Sequence, residues 1–257
     1  MLQAHSFLWN FLWVAPNVIL LALGVLLSRR GYSREFPAFL SFAILSAAGD
    51  LAVYCADIVP FISAIIFWRV QWAGFVVESV LKFLVIGEVL SRFLSPYPSV
   101  ARLGRYFVSG FGAVLILVAA VAAAFARGDS SVWLISGFHV VEQTVFIVQL
   151  GLIMSLLLFA AYFRMSWDRL SFGIVLGLGI SACGHLVTWA LIANANPSAQ
   201  QRTWLAFFNM AIYNVCVLIW GYYLLIPSKV PRKTNSPALP NHNLDLWNRE
   251  LERLLQQ

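Results

Sequence analysis

The sequence predicts an all-α, polytopic membrane protein of seven transmembrane helices. Three observations carry that expectation: the composition, seven apolar runs of spanning length, and basic residues that alternate between loops. Of 257 residues, 61% are hydrophobic and only 11% charged, and the mean hydropathy is +0.80. A soluble domain holds about 25% charged and about 45–50% apolar residues, so a water-exposed surface has no place for this excess. Hydrocarbon does. The net charge of +6 does not mark a nucleic-acid interface, because the basic residues sit in short loops between apolar runs. Cys55, Cys183 and Cys216 all fall inside those runs, too few and too buried to read as a disulfide frame or a zinc site.

A helix crosses the bilayer core with about 20 apolar residues. Spans are expected at 7–28, 37–59, 64–91, 106–126, 132–163, 170–194 and 204–226. The third and fifth are long enough to tilt or project. The first lacks a basic leader and ends in Ser28-Arg29-Arg30 rather than a small-residue cleavage site, so it reads as a retained span. Arg29, Arg30 and Arg34 follow the first span, and Arg92, Arg102 and Arg105 the third. Arg164 and Arg169 follow the fifth, and Lys229, Arg232 and Lys233 the seventh. The intervening loops carry only Arg127 and Arg202, with Arg69 at the start of the third span. Basic loops stay in the cytoplasm. The expectation is a multi-pass protein of a bacterial cytoplasmic membrane, N-terminus outside and C-terminus inside.

An offset of 135 residues aligns Ser46-Ala47-Ala48-Gly49-Asp50-Leu51 with Ser181-Ala182-Cys183-Gly184-His185-Leu186, and Arg29, Tyr32 and Arg34 with Arg164, Trp167 and Arg169. Spans one to three thus read as a parallel copy of spans five to seven, with the fourth as connector. Parallel repeats place a site near mid-membrane between copies. This three-plus-one-plus-three order resembles the SWEET and PQ-loop transporters, and Ala15-Pro16-Asn17 stands where that family has a Pro-Gln or Pro-Asn pair. The second copy departs, with Gly151 and Leu152 opposite Pro16 and Asn17, so the resemblance is topological. A closer one covers nearly the whole chain: the loop from Arg29 to Pro37, the Glu78 and Glu88 helix, the Glu142 to Gln149 stretch and the Trp-Asn tail. On these the chain resembles an uncharacterised seven-helix family recurrent in acidobacteria. That resemblance implies no activity.

Ionisable groups at mid-membrane cost about 2.5–3.5 kcal/mol each on insertion scales and mark functional sites by default. Asp50 lies in the second span, Glu78 and Lys82 in the third, and His139, Glu142, Gln143 and Gln149 in the fifth. His185 lies in the sixth span, and Asn209, Tyr213 and Asn214 in the seventh. The fifth-span residues form one stripe at helical spacing, and Glu78 precedes Lys82 by four, the favourable order for an ion pair. Glu88 and Arg92 repeat that spacing near the cytoplasmic edge and read as a structural pair. Asp50, Glu78, Lys82, His139, Glu142, Gln143, Gln149, His185, Asn209 and Asn214 are the expected lining of a polar, outward-opening cavity. His139-x-x-Glu142, with His185 and Asp50, also has the donor types of a metal site, or of haem through the two histidines. Intramembrane histidines more often bond neighbouring helices, and no cofactor is expected. No nucleophile elbow or other catalytic signature is present. Gly173, Gly177, Ser181 and Gly184 form a small-residue face that lets helices approach closely.

Residues 1–227 form the expected transmembrane domain and 228–242, holding Pro231, Pro237 and Pro240, a cytoplasmic linker. Residues 243–257 read as an amphipathic helix whose Leu244, Trp247, Leu251 and Leu254 make one apolar stripe. It is too short to stand alone in water and is expected on the bilayer surface, the bundle's loops or a cytoplasmic protein partner. The expected functions are a small-solute carrier or binding bundle, a seven-helix sensor signalling through its tail, or an intramembrane metal or haem protein.

Overall fold

The computed structural model describes residues 6–59, 63–94, 110, 130–162, 167–195 and 198–226. Their regular structure is helical: α1 (Phe7–Arg29), a 3-10 turn (Tyr32–Arg34), α2 (Pro37–Ile58), α3 (Ala64–Leu94), α4 (Ser130–Tyr162), α5 (Arg169–Ala195) and α6 (Ala199–Leu225). These six match the first three and last three expected spans to within a few residues. The fourth, 106–126, lies outside the described residues apart from Gly110, as does the tail beyond 226. Five of the six (all but α3) contain stretches long and apolar enough to cross a membrane. At 31 residues and 1.5 Å per residue, α3 is about 46 Å long and carries Arg69, Glu78, Lys82, Glu88 and Arg92.

The outside of the bundle confirms its solvent. Phe11, Val18 and Val25 on α1 are each 54% exposed, and Phe208, Val215 and Tyr222 on α6 are about half exposed. A spacing of seven is two helical turns, so these apolar stripes face outward along the axis. Water tolerates no such surface on this scale; hydrocarbon requires it. The protein is an integral membrane helical bundle.

Neighbouring helices pack in ring order: α1 on α2, α2 on α3, α3 on α4, α4 on α5, α5 on α6, and α6 back on α1. The glycines singled out in the sequence set the α5–α6 contact. A Cβ on Gly173 would overlap the Tyr223 side chain, one on Gly177 the Trp220 indole, and one on Gly184 the Ile212 side chain. Across the ring, α3 also reaches α5.

One half of the ring is solid. Towards the ends marked by Arg29, Pro37, Tyr162 and Leu225, the core holds Leu27, Phe36, Phe39, Phe42, Val89, Leu156, Ile174 and Trp220, all almost fully buried. Trp220 meets Phe39 and Phe42 edge-on, each at 5.6 Å between ring centres, and its Nε1 donates to the Ile174 carbonyl. This aromatic plug fills the bundle at that end.

Helix ends are satisfied by short-range and long-range partners. Ser198 and Gln201 form a reciprocal capping box at the start of α6: Gln201 Oε1 accepts from the Ser198 amide at 2.8 Å, and Ser198 Oγ from the Gln201 amide at 3.4 Å. Asp168 caps α5 by accepting from the Ser171 amide. After α1, Gly31 takes φ +78°, the left-handed turn that glycine allows at no steric cost. The start of α2 has no side-chain cap of its own. Instead, both Glu88 carboxylate oxygens accept from the amides of Ala38 and Phe39, at 3.0 and 3.1 Å, where a helix N-terminus favours negative charge. Glu88 is therefore a cap, not simply the partner of Arg92 that its spacing indicates. Arg92 reaches Glu35 at 3.3 Å and lies over the Phe36 ring. Arg30 spans the opposite polarity, donating to the Leu224 carbonyl at the end of α6 at 2.6 Å.

Candidate functional site

Pro16 lies inside α1. It has no amide hydrogen, so the carbonyl four residues earlier, on Leu12, loses its helical donor. An unpaired carbonyl is costly in a bilayer. Asn214 on α6 supplies the missing hydrogen bond: its Nδ2 donates to the Leu12 oxygen at 2.9 Å and to its own helix at Met210 at 2.8 Å. Just beyond the proline, Asn17 turns inward, 1% exposed, with Nδ2 donating to Trp13 and Oδ1 without a partner among the described residues.

Between this proline-bearing region and the plug lies a cavity of about 230 Å³. It occupies the N-terminal halves of α1, α3, α4 and α6 and the C-terminal halves of α2 and α5, the half of the bundle opposite the plug. Asp50, Glu78, Lys82, Glu142, His185 and Asn209 line it, with Asn17, Gln71, Ser181 and Tyr213. Five helices deliver the six expected residues: α2 brings Asp50, α3 Glu78 and Lys82, α4 Glu142, α5 His185 and α6 Asn209.

The charged groups are organised. Lys82, 5% exposed, places its ammonium 2.8 Å from the Glu78 carboxylate and 5.0 Å from the centre of the Phe146 ring. On the other face of the neighbourhood, His185 stacks parallel on Phe146 at 4.2 Å, and its Nδ1 lies 3.9 Å from Glu142. Phe146 thus stands in contact with both an ammonium and an imidazole. Asn209 is held by the Thr188 hydroxyl at 2.9 Å. Asp50 has no hydrogen bond or ion pair of its own among the described residues. The Tyr213 hydroxyl is buried beside the Ser46 hydroxyl. Buried polar groups are nearly always satisfied, so Asp50 and the unpartnered Asn17 Oδ1, both at the hollow, mark it as a place for water or a polar ligand.

Three expected lining residues stand elsewhere. Gln143 is exposed on the bundle's outside: one residue past Glu142 is a rotation of about 100° around the helix. Gln149 is fully buried and clasps α4 to α5 by donating to the Leu178 carbonyl at 2.9 Å. Asn214 mends the Pro16 break. The side chain of His139 lies outside the described residues. Cys55 and Cys183 are exposed on the perimeter, and only Cys216 is buried, a correction to the expectation that all three are buried. Among the described residues no three His, Cys, Asp or Glu side chains are placed to hold a metal ion. Asn17 was not expected in the lining; its signal was a lone amide beside an intrahelical proline.

Compared with known proteins, the chain matches no family model, no curated protein and no solved structure.

Proposed function

We propose that this membrane bundle binds or carries a small solute, held in the cavity among Asp50, Glu78, Lys82, Glu142, His185 and Asn209. One observation carries the reading. Side chains that each cost about 2.5–3.5 kcal/mol to bring to mid-membrane converge from separate helices on one hollow rather than scattering around the perimeter. The aromatic plug at one end of the ring and the hollow in the other half suit loading from a single side. In ring order α1 lies opposite α4, α2 opposite α5 and α3 opposite α6, the arrangement that a parallel repeat requires, with Asp50 and His185 on opposite helices. With seven spans and the basic loops in the cytoplasm, the cavity half and the N-terminus face outward across a bacterial inner membrane.

The test is a stability screen of the full chain in lipid nanodiscs against small amines, carboxylates and sugars. A solute at one hundred times its Kd adds about 2.7 kcal/mol of stability, which raises the Tm. The expected result is one solute class whose shift vanishes in both Asp50→Asn and His185→Gln. Uptake into vesicles then separates a carrier from a binding protein. A shift unchanged in both variants, or no shift across the panel, would overturn the reading.

A further inference from the structure

A second hollow of about 430 Å³ lies between α2 and α3. Most of its wall is apolar: Leu45, Ala48 and Ala52 from α2, and Val70, Ala73 and Val77 from α3. Leu45 and Val77 are about half exposed, so this hollow opens on the perimeter, where lipid chains lie. Its inner end is different. Asp50, Gly74 and Glu78 line both this hollow and the central cavity, so the two meet at the carboxylates.

Two glycines stand at that junction. A Cβ on Gly49 would make ordinary contact with the Gly74 backbone at 4.0 Å, whereas one on Gly74 would meet nothing within 4 Å. Gly49 thus lies close against α3, and it is Gly74 that leaves space open, in contrast to Gly173 and Gly177, whose missing side chains admit Tyr223 and Trp220. The Ser46 hydroxyl, in a residue 3% exposed, lines the same hollow beside the Tyr213 hydroxyl.

Charge specifies what fits. The central cavity carries three carboxyls (Asp50, Glu78, Glu142) against one ammonium, that of Lys82. Lys82 is already committed to Glu78, whereas Asp50, at the junction, has no ion pair of its own. Trp13, Phe75 and Tyr213 also line this space, and the faces of aromatic rings attract organic cations. Resting on the solute-binding reading above, we propose that the α2–α3 gap is a lateral entrance for an amphiphilic organic cation. Its ammonium head sits at Asp50 and its alkyl chain lies in the groove between α2 and α3. The ligand enters from the bilayer, in which its chain is already dissolved.

The probes are radiolabelled dodecyltrimethylammonium and tetramethylammonium, with displaceable binding measured on the full chain in nanodiscs of neutral lipid. Chain length alone raises apparent affinity through partitioning into lipid, so the comparison is between variants and wild type for the same probe. Ala73→Leu enlarges a side chain that lines the groove and not the central cavity. It is expected to weaken dodecyltrimethylammonium binding tenfold or more while leaving tetramethylammonium within about twofold. Asp50→Asn is expected to lose both. Val77→Trp, at the perimeter mouth, is expected to repeat the Ala73→Leu pattern and decides the matter if Ala73→Leu loses both probes by misfolding. Unchanged binding of the long-chain cation in both gap variants overturns the lateral entrance and leaves a cation site standing. Failure of wild type to bind either cation overturns the proposal entirely. The solute-binding reading then stands or falls on the stability screen.

Discussion

The pairing of Pro16 with Asn214 gives a prediction whose size follows from the structure. Replacing Asn214 with leucine removes the donor 2.9 Å from the Leu12 carbonyl, and Pro16 offers that carbonyl no amide in its place. A buried polar group left unsatisfied costs about 1–3 kcal/mol, so Asn214→Leu is expected to destabilise the bundle by about 2 kcal/mol. Pro16→Ala restores an amide hydrogen four residues after Leu12, so the two changes are coupled. Wild type already satisfies the carbonyl through Asn214 and gains little from a second donor there. In the Asn214→Leu background the same alanine supplies the only one. The proline-to-alanine change should therefore stabilise the Asn214→Leu protein by about 1–2 kcal/mol more than it stabilises wild type. Four proteins, unfolded reversibly by dodecyl sulfate in mixed micelles and followed by tryptophan fluorescence, measure the cycle. Independent sites add to within about 0.5 kcal/mol. Additivity at that level would refute the claim that Asn214 serves the carbonyl freed by the proline.

Two further outcomes are expected. Lys82→Met leaves Glu78 without its 2.8 Å partner, and breaking a buried pair from one side costs about 3–5 kcal/mol. Because the cavity can hydrate Glu78, the loss should sit near the lower value, and adding Glu78→Gln should recover part of it; a double variant as unstable as the sum of the singles would contradict the pair. Gly177→Ala forces a Cβ onto the buried Trp220 indole, and overpacking of this kind costs about 1–3 kcal/mol. Gly151→Ala, where nothing lies within 4 Å, is the control, and equal Tm values for the two would remove the close-approach account of the α5–α6 contact.

The chain's order along the membrane was legible because spanning is a local property. A run of about 20 apolar residues must cross as a helix, since the bilayer offers no other partner to the backbone. The described helices accordingly begin and end within a few residues of the apolar runs, and Gly173, Gly177 and Gly184 announced a close contact by their spacing alone. Deep charge was equally visible: Asp50, Glu78, Lys82, Glu142 and His185 stand out in any apolar run. Their convergence was not. Whether a residue faces its neighbours or the lipid depends on the rotation of each helix about its own axis, fixed by packing between segments far apart in the chain. Adjacent Glu142 and Gln143 therefore part company, one at the cavity and one on the perimeter. Gln149 shares a stripe with Glu142 yet ends in a clasp to Leu178, and Glu88, four residues from Arg92, also caps a helix fifty residues upstream. Sequence determined which polar groups are carried into the membrane. Only the tertiary structure decided which of them share a cavity, because a hydrogen bond to a distant helix leaves no trace in local spacing.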